Sequence, residues 1–132
     1  MIYVTDTHPL VFWASKRSQR LGKRTRRIFR EAERGKHAII VPVAVLEETA
    51  RLVERRVIRL PVAFRQWAEE LARSANFQVQ PLPSKSCLSH SVFAIRDPAD
   101  RVIVATAQHL RFPLITTDDL ILDGNWVETV LE

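Results

Sequence analysis

The sequence predicts an α/β fold, a central, mostly parallel sheet of four to five strands with helices on both faces. Three observations predict it. Short apolar runs rich in Ile and Val alternate with longer stretches whose apolar residues recur every three or four positions, the pattern of strands joined by helical crossovers. Of five acidic residues, Asp6, Glu48, Asp97, Asp100 and Asp118, most stand where an apolar run ends or a helix begins, and such folds build their sites at the carboxyl ends of parallel strands. A length of 132 residues, 46% hydrophobic and 27% charged, suits one compact domain over residues 1–132.

The elements follow in order. Ile2 to Thr5 reads as a buried strand, and Pro9 to Ala14 as a short helical turn carrying Leu10, Val11, Phe12 and Trp13. From Gly22 to Arg34, Ile28, Phe29 and Ala32 recur at helical spacing among arginines, so an amphipathic helix with a basic outer face is expected, ended by Gly35. His37 to Val41 is a second strand. The next helix, from Pro42 or Val43 to Val53, turns Val45, Leu46, Thr49, Leu52 and Val53 inward. Arg55 to Leu60 connects it to a helix opened by Pro61 and running to about Ala75, with Phe64, Trp67, Ala68 and Leu71 inward. Phe77 to Val79 is a third strand, and Pro81 and Pro83 mark the loop after it. Ser86 to Ile95 reads as helical, Asp97 to Leu110 as a helix with a strong start signal, Pro113 to Ile115 as a fourth strand and Trp126 to Val130 as a short fifth. Crossovers in such a sheet are right-handed.

Composition removes several classes of function. Cys87 is the single cysteine, which excludes an internal disulfide and a zinc knuckle and fits a reducing, cytoplasmic setting. Met1 leads straight into the first apolar run, so no signal peptide is expected. The longest apolar stretch, Ala38 to Leu46, is too short for a bilayer and contains Pro42, so a soluble protein with no membrane partner is expected. No glycine-rich phosphate loop, HExxH pair or nucleophile elbow is present, and His8, His37, His90 and His109 have no ligand spacing. Phospho-aspartate chemistry calls for a lysine near the phosphate, and Lys85 is the only one in the second half. A hydrolase built on this chain needs water activated by a metal.

Charge is unevenly placed. The formal charge is +5, but Lys16 to Lys36 holds ten Lys or Arg against Glu31 and Glu33, a local +8 that leaves −3 elsewhere. A basic block joined to an acidic site suits a protein that grips a polyanion by its phosphates, although a charge run alone is also an ordinary solvated helix face. Two carboxylates about 4 Å apart repel by roughly 4 kcal/mol at an effective dielectric near 20, and a divalent cation is the usual answer to such crowding.

Each acid also has a structural explanation. Asp6 can cap the turn beginning at His8 or Pro9, and Asp118 can cap whatever follows it. Asp97-Pro98-Ala99-Asp100 reads as N-cap, proline at the first position and an acid at the third, with Asp100 equally able to project into the crevice and Arg101 able to orient a carboxylate or meet a phosphate. Glu47 and Glu48 point about 100° apart on one helix, and Arg51 and Arg55 stand four residues after them. Spacing does not choose between the two.

In this order of elements and acids the chain resembles a PIN domain, and within that family the VapC-like toxins of prokaryotic toxin–antitoxin pairs. Val4-Thr5-Asp6-Thr7-His8-Pro9-Leu10-Val11-Phe12-Trp13 looks like the family's strand, Asp-Thr-His, and aliphatic and Trp residues. The stretch from Val41 to Ala50 matches the segment of the family's conserved Glu, which selects Glu48. Arg96 to Arg101 is close to Arg-Asp-Pro-Phe-Asp-Arg, and Leu114 to Asp118 to Leu-Val-Thr-x-Asp. Glu47 stands where the family often has Trp, and Ala99 where it often has Phe.

The resemblance implies a PIN-like fold over nearly the whole chain and hydrolysis of RNA phosphodiesters. It implies Asp6, Glu48, Asp100 and Asp118 as ligands of one or two Mg²⁺ or Mn²⁺ ions and as the catalytic set, with Asp97, Thr116, Arg101, Thr7 and His8 in support. Lys23, Arg24, Arg26, Arg27 and Arg30 would then hold RNA. A homodimer and a cognate antitoxin are the implied partners, with Phe12, Trp13, Phe64 and Trp67 as groove residues or, equally, ordinary core. The competing expectation is a PIN-like domain that binds RNA without cleaving it.

Overall fold

Strands buried on both faces carry apolar side chains at successive positions, and the computed structural model, which describes residues 1–82 and 90–130, puts its strands at such runs. They are β1 (Ile2–Thr5), β2 (Ala38–Pro42), β3 (Phe77–Gln80) and the two-residue β4 (Leu114–Ile115). All pair in parallel, in the order β3-β2-β1-β4. Val4 faces both Ile40 and Leu114, so the first strand is central and the last lies beside it. β3, at the edge, alternates buried Phe77 with exposed Gln78.

Six α-helices flank the sheet among the described residues: α1 (Thr7–Ala14), α2 (Lys23–Glu33), α3 (Val43–Glu54), α4 (Phe64–Arg73), α5 (Pro98–Leu110) and α6 (Asp119–Gly124). α1 starts two residues before the expected turn because the Asp6 carboxylate accepts the Thr7 N–H. Pro9 costs nothing there, since the first turn has no intrahelical partner for its missing N–H. α5 has the expected start, with Asp97 accepting from Ala99 and Asp100 and Pro98 in first position. On α3 the buried residues are Ala44, Val45 and Thr49, while Leu46, Leu52 and Val53 are half-buried.

Four expectations are corrected. α4 begins at Phe64, not Pro61: Leu60 is seated in the core, the chain bends at Pro61 and Val62, and Ala63 is the non-helical cap. α6 was not expected, yet Asp118 caps it by accepting from Leu120, and left-handed Asn125 ends it. The fifth strand is a single bridge from Leu114 to Thr129, since the Trp126 carbonyl is taken by Gln108 Nε2 at 3.2 Å. Of the helix expected over 86–95, a 3₁₀ turn at His90–Ala94 is present, and the remainder up to residue 89 lies outside the described residues. No helix of the described residues is long and apolar enough to cross a membrane.

The basic helix α2 is fixed by its apolar face, with Thr25, Ile28, Phe29 and Ala32 buried. Phe29 is fully enclosed, and Trp13 stacks on it at 5.7 Å and 15° while its Nε1 donates to Glu33 at 2.7 Å. Phe29→Ala should therefore lower unfolding free energy by about 3–5 kcal/mol, read from the midpoint of urea denaturation at unchanged slope.

Candidate active site

Strand order reverses at β1, whose carboxyl end lies beside that of β4, and a crevice opens where two such ends diverge. Asp6 leaves β1 at that point and is 4% exposed. Its Oδ1 accepts the Thr7 N–H at 2.7 Å and its Oδ2 the Thr116 hydroxyl at 2.7 Å. Burial raises its carboxyl above the ordinary range, the two hydrogen bonds oppose that, and the charge of Glu48 adds to the rise.

Two buried threonines join the other acids to it. Thr116, just beyond β4, donates to Asp6 and accepts the Asp118 N–H at 3.0 Å. The Thr7 hydroxyl donates to Glu48 Oε1. Asp118 in turn accepts from Leu120 at 2.8 Å, so capping α6 and facing the crevice are compatible roles. A further threonine that sequence reasoning passed over is Thr5, whose hydroxyl donates to the Asp6 carbonyl at 2.9 Å. Its signal was a polar residue closing an apolar strand.

Asp100, half-buried in the first turn of α5, completes the set. Loss of solvent and then the charges of Asp6, Asp97, Asp118 and Glu48 push its carboxyl up to about 7. The other four carboxylates thus lie close enough to act on Asp100. Among the described residues no three His, Cys, Asp or Glu side chains approach to the spacing of a finished metal cage. The donor set is nevertheless all oxygen, the kind that hard divalent cations take.

The neighbouring residues separate into distinct roles. Glu47 is exposed and meets Arg51 at 3.6 Å, leaving Glu48 as the inward member of the pair. Asp97 is exposed and caps α5 at 2.8 Å from the Ala99 nitrogen while adding charge against Asp100. Arg101, expected to orient a carboxylate or meet a phosphate, donates from Nε to the Ile95 carbonyl and lies 5.8 Å from the Phe93 ring. His8 is exposed, its ring 5.9 Å from Phe12, and its charge acts to lower the Asp6 carboxyl.

The basic residues are not part of this cluster. Lys23, Arg24, Arg27 and Arg30 are exposed on α2, Arg26 is half-buried, and the helix packs against α1 and β2. Of the expected groove aromatics, Trp67 is buried, and Phe12, Trp13 and Phe64 are half-buried against the core. Packing accounts for all four.

A family model described as the PIN domain matches residues 3–123. No curated protein matches the sequence. Among solved structures, a chain of the crystal structure of VapBC2 from Rickettsia felis bound to a DNA fragment from their promoter is similar at a TM-score of 0.66. The identity is 13%, over 98% of this chain and 98% of that one, so the likeness is one of fold. Acids at the ends of β1 and β4, a parallel sheet in this order and a family match running from β1 into α6 agree, and the chain belongs to the PIN domain family.

Proposed function

We propose that this PIN domain is a metal-dependent endoribonuclease, the toxin of a toxin–antitoxin pair, with Asp6, Glu48, Asp100 and Asp118 as its catalytic and metal-holding residues. The observation that carries the reading is Asp100: a carboxyl pushed to about 7 by burial and by four other carboxylates marks a place where negative charge has been concentrated. Such a concentration is stable at neutral pH when a cation shares it. Mg²⁺ or Mn²⁺, one ion or two, fits the oxygen donors, and the chemistry such an ion supplies when bound is activation of water and neutralisation of charge at a phosphate.

The chain's own residues do the remaining work. Asp6 is held by two hydrogen bonds and cannot swing away, so it sets the position of the site. Thr7 and Thr116 fix the rotation of Glu48 and Asp6, and Thr116 also fixes the backbone at Asp118. Asp100, less confined, can hold or release a proton near neutrality. The exposed cations Lys23, Arg24, Arg27 and Arg30, with Arg26 beside them, would hold RNA phosphates without reading sequence. The fold it shares with VapBC2 supports an antitoxin as partner, and a homodimer is part of the same reading. The exposed basic face of α2, which stands apart from the acids, favours one second reading, a domain that binds RNA without cleaving it.

Incubation with cellular RNA tests these readings. Discrete cleavage should require Mg²⁺ or Mn²⁺, stop with excess chelator, and fall by more than about 100-fold in Asp6→Asn and in Asp100→Asn. RNA retained by a folded but inactive wild type would establish the second reading instead. Thr116→Val should cost about 10–100-fold in activity, because it removes the hydroxyl that orients Asp6 while leaving every ligand in place.

The Asp100 carboxyl also fixes a pH dependence. Its folded-state value lies above the unfolded one near 3.8, so the folded state binds the extra proton between about 4 and about 7. Stability from this group is fully present below the unfolded value and is lost as pH rises through about 7. Thermal melts in chelator should therefore fall in midpoint as pH rises toward 8, and Asp100→Asn should flatten the trend. Mg²⁺ should raise the midpoint more at pH 8 than at pH 5. Glu31, lowered by its bond to His37, acts in the opposite sense and only at the acid end.

A further inference from the structure

A cleft of about 440 Å³ lies between α3 and the start of α5, and its lining includes the acids Glu47, Glu48 and Asp97 and the arginines Arg51 and Arg55. Its apolar lining is Ala44, Leu52, Leu82, Pro98, Ala99 and Val102. Glu48, Arg51, Leu52 and Arg55 recur at three- and four-residue spacing and so form one stripe of α3. The two guanidiniums stand about one and two turns beyond Glu48, the farther some 10 Å along the helix axis.

We infer that this cleft is the subsite for the nucleotide next to the scissile phosphate, with its base on the apolar lining and its outer phosphate on Arg51 and Arg55. The inference rests on the nuclease reading and names where the strand goes. A pocket of this size, with apolar and charged groups in about equal measure, suits a ligand that has both a planar apolar part and a charged one. A base is uncharged and can sit beside Glu47 and Asp97, whose carboxylates accept from its amino groups, as carboxylates do from cytosine. An acidic peptide would set its own charges against the same carboxylates. Arg55 has no carboxylate partner among the described residues, and Arg51 is held by Glu47 only at 3.6 Å on the exposed side, so both can turn to a phosphate. Guanidinium planes also stack on unpaired bases. The basic face of α2 is a separate surface, and a strand gripped there is gripped for affinity, whereas the cleft adjoins the acids themselves.

The test uses the full chain and a short fluorescein-labelled single-stranded RNA, with Ca²⁺ in place of Mg²⁺, across a salt titration. Arg51→Ala/Arg55→Ala should reduce the slope of log affinity against log salt by about 0.7, the loss of one single-strand phosphate contact. Lysine at both positions should restore it. Leu52→Trp, which fills the apolar part of the cleft and removes no charge, should weaken binding roughly tenfold at an unchanged slope. Circular dichroism confirms the helices in each variant. If wild type binds and the double variant keeps its slope, the cleft assignment is overturned while the nuclease reading stands. If wild type neither binds nor cleaves, both fall. Binding of a short oligoglutamate that is lost in the double variant while the RNA slope is unchanged gives the cleft to an acidic protein segment and also overturns the inference.

Discussion

The hydrogen bond from Thr116 to Asp6 is the contact on which the rest of the site depends. Asp6 is buried, and burial of a carboxylate without partners is strongly unfavourable. Thr7 N–H at the start of α1 and the Thr116 hydroxyl just beyond β4 supply those partners, so the carboxylate stays in place against the repulsion of Glu48. The same threonine positions Asp118, and the same helix start carries the hydroxyl that holds Glu48. Two side chains without charge thus organise three that are charged.

The molecule separates its charges by element. The apolar face of α2 docks on α1 and β2, leaving the arginines outward, whereas the acids collect where β1 and β4 end. Each half would be unfavourable by itself. Like charges on one helix face are separated by solvent and screened by salt, but the acids are partly withdrawn from water and are not, which is why Asp100 is shifted strongly.

How much of this was legible in the sequence depended on distance along the chain. Local signals carried well: Asp97-Pro98 marked the start of α5, and Ile28, Phe29 and Ala32 gave the buried face of α2. Strand positions followed from apolar runs, because a sheet covered on both faces leaves no alternation to misread. What failed was set by tertiary partners. Pro61 looked like a helix start until Leu60 was anchored in the core. Trp126 to Val130 has strand character, but Gln108 claims its first carbonyl. α6 is too short to show a period, and only its cap was visible. In the site, four acids were visible as types at ends of elements, whereas the choice of Glu48 over Glu47 needed resemblance, and the Thr7 contact that distinguishes them geometrically spans 41 positions. Arg101 was read as a partner for charge because a carbonyl at the end of a 3₁₀ turn leaves no trace in sequence.

The position of β4 has a consequence for synthesis. The strand made last pairs with the strand made first, and the Thr116–Asp6 bond spans 110 residues. Ribosomes add about 5–20 residues per second, so Asp6 emerges seconds before the residue that steadies it. Until then β1 has an open side and its acid has no second partner. The cluster can close only after Thr116 has emerged, and no nascent fragment that stops short of it can make the bond that holds Asp6. For a chain proposed to damage RNA, topology alone delays the hazard until β4 has been made.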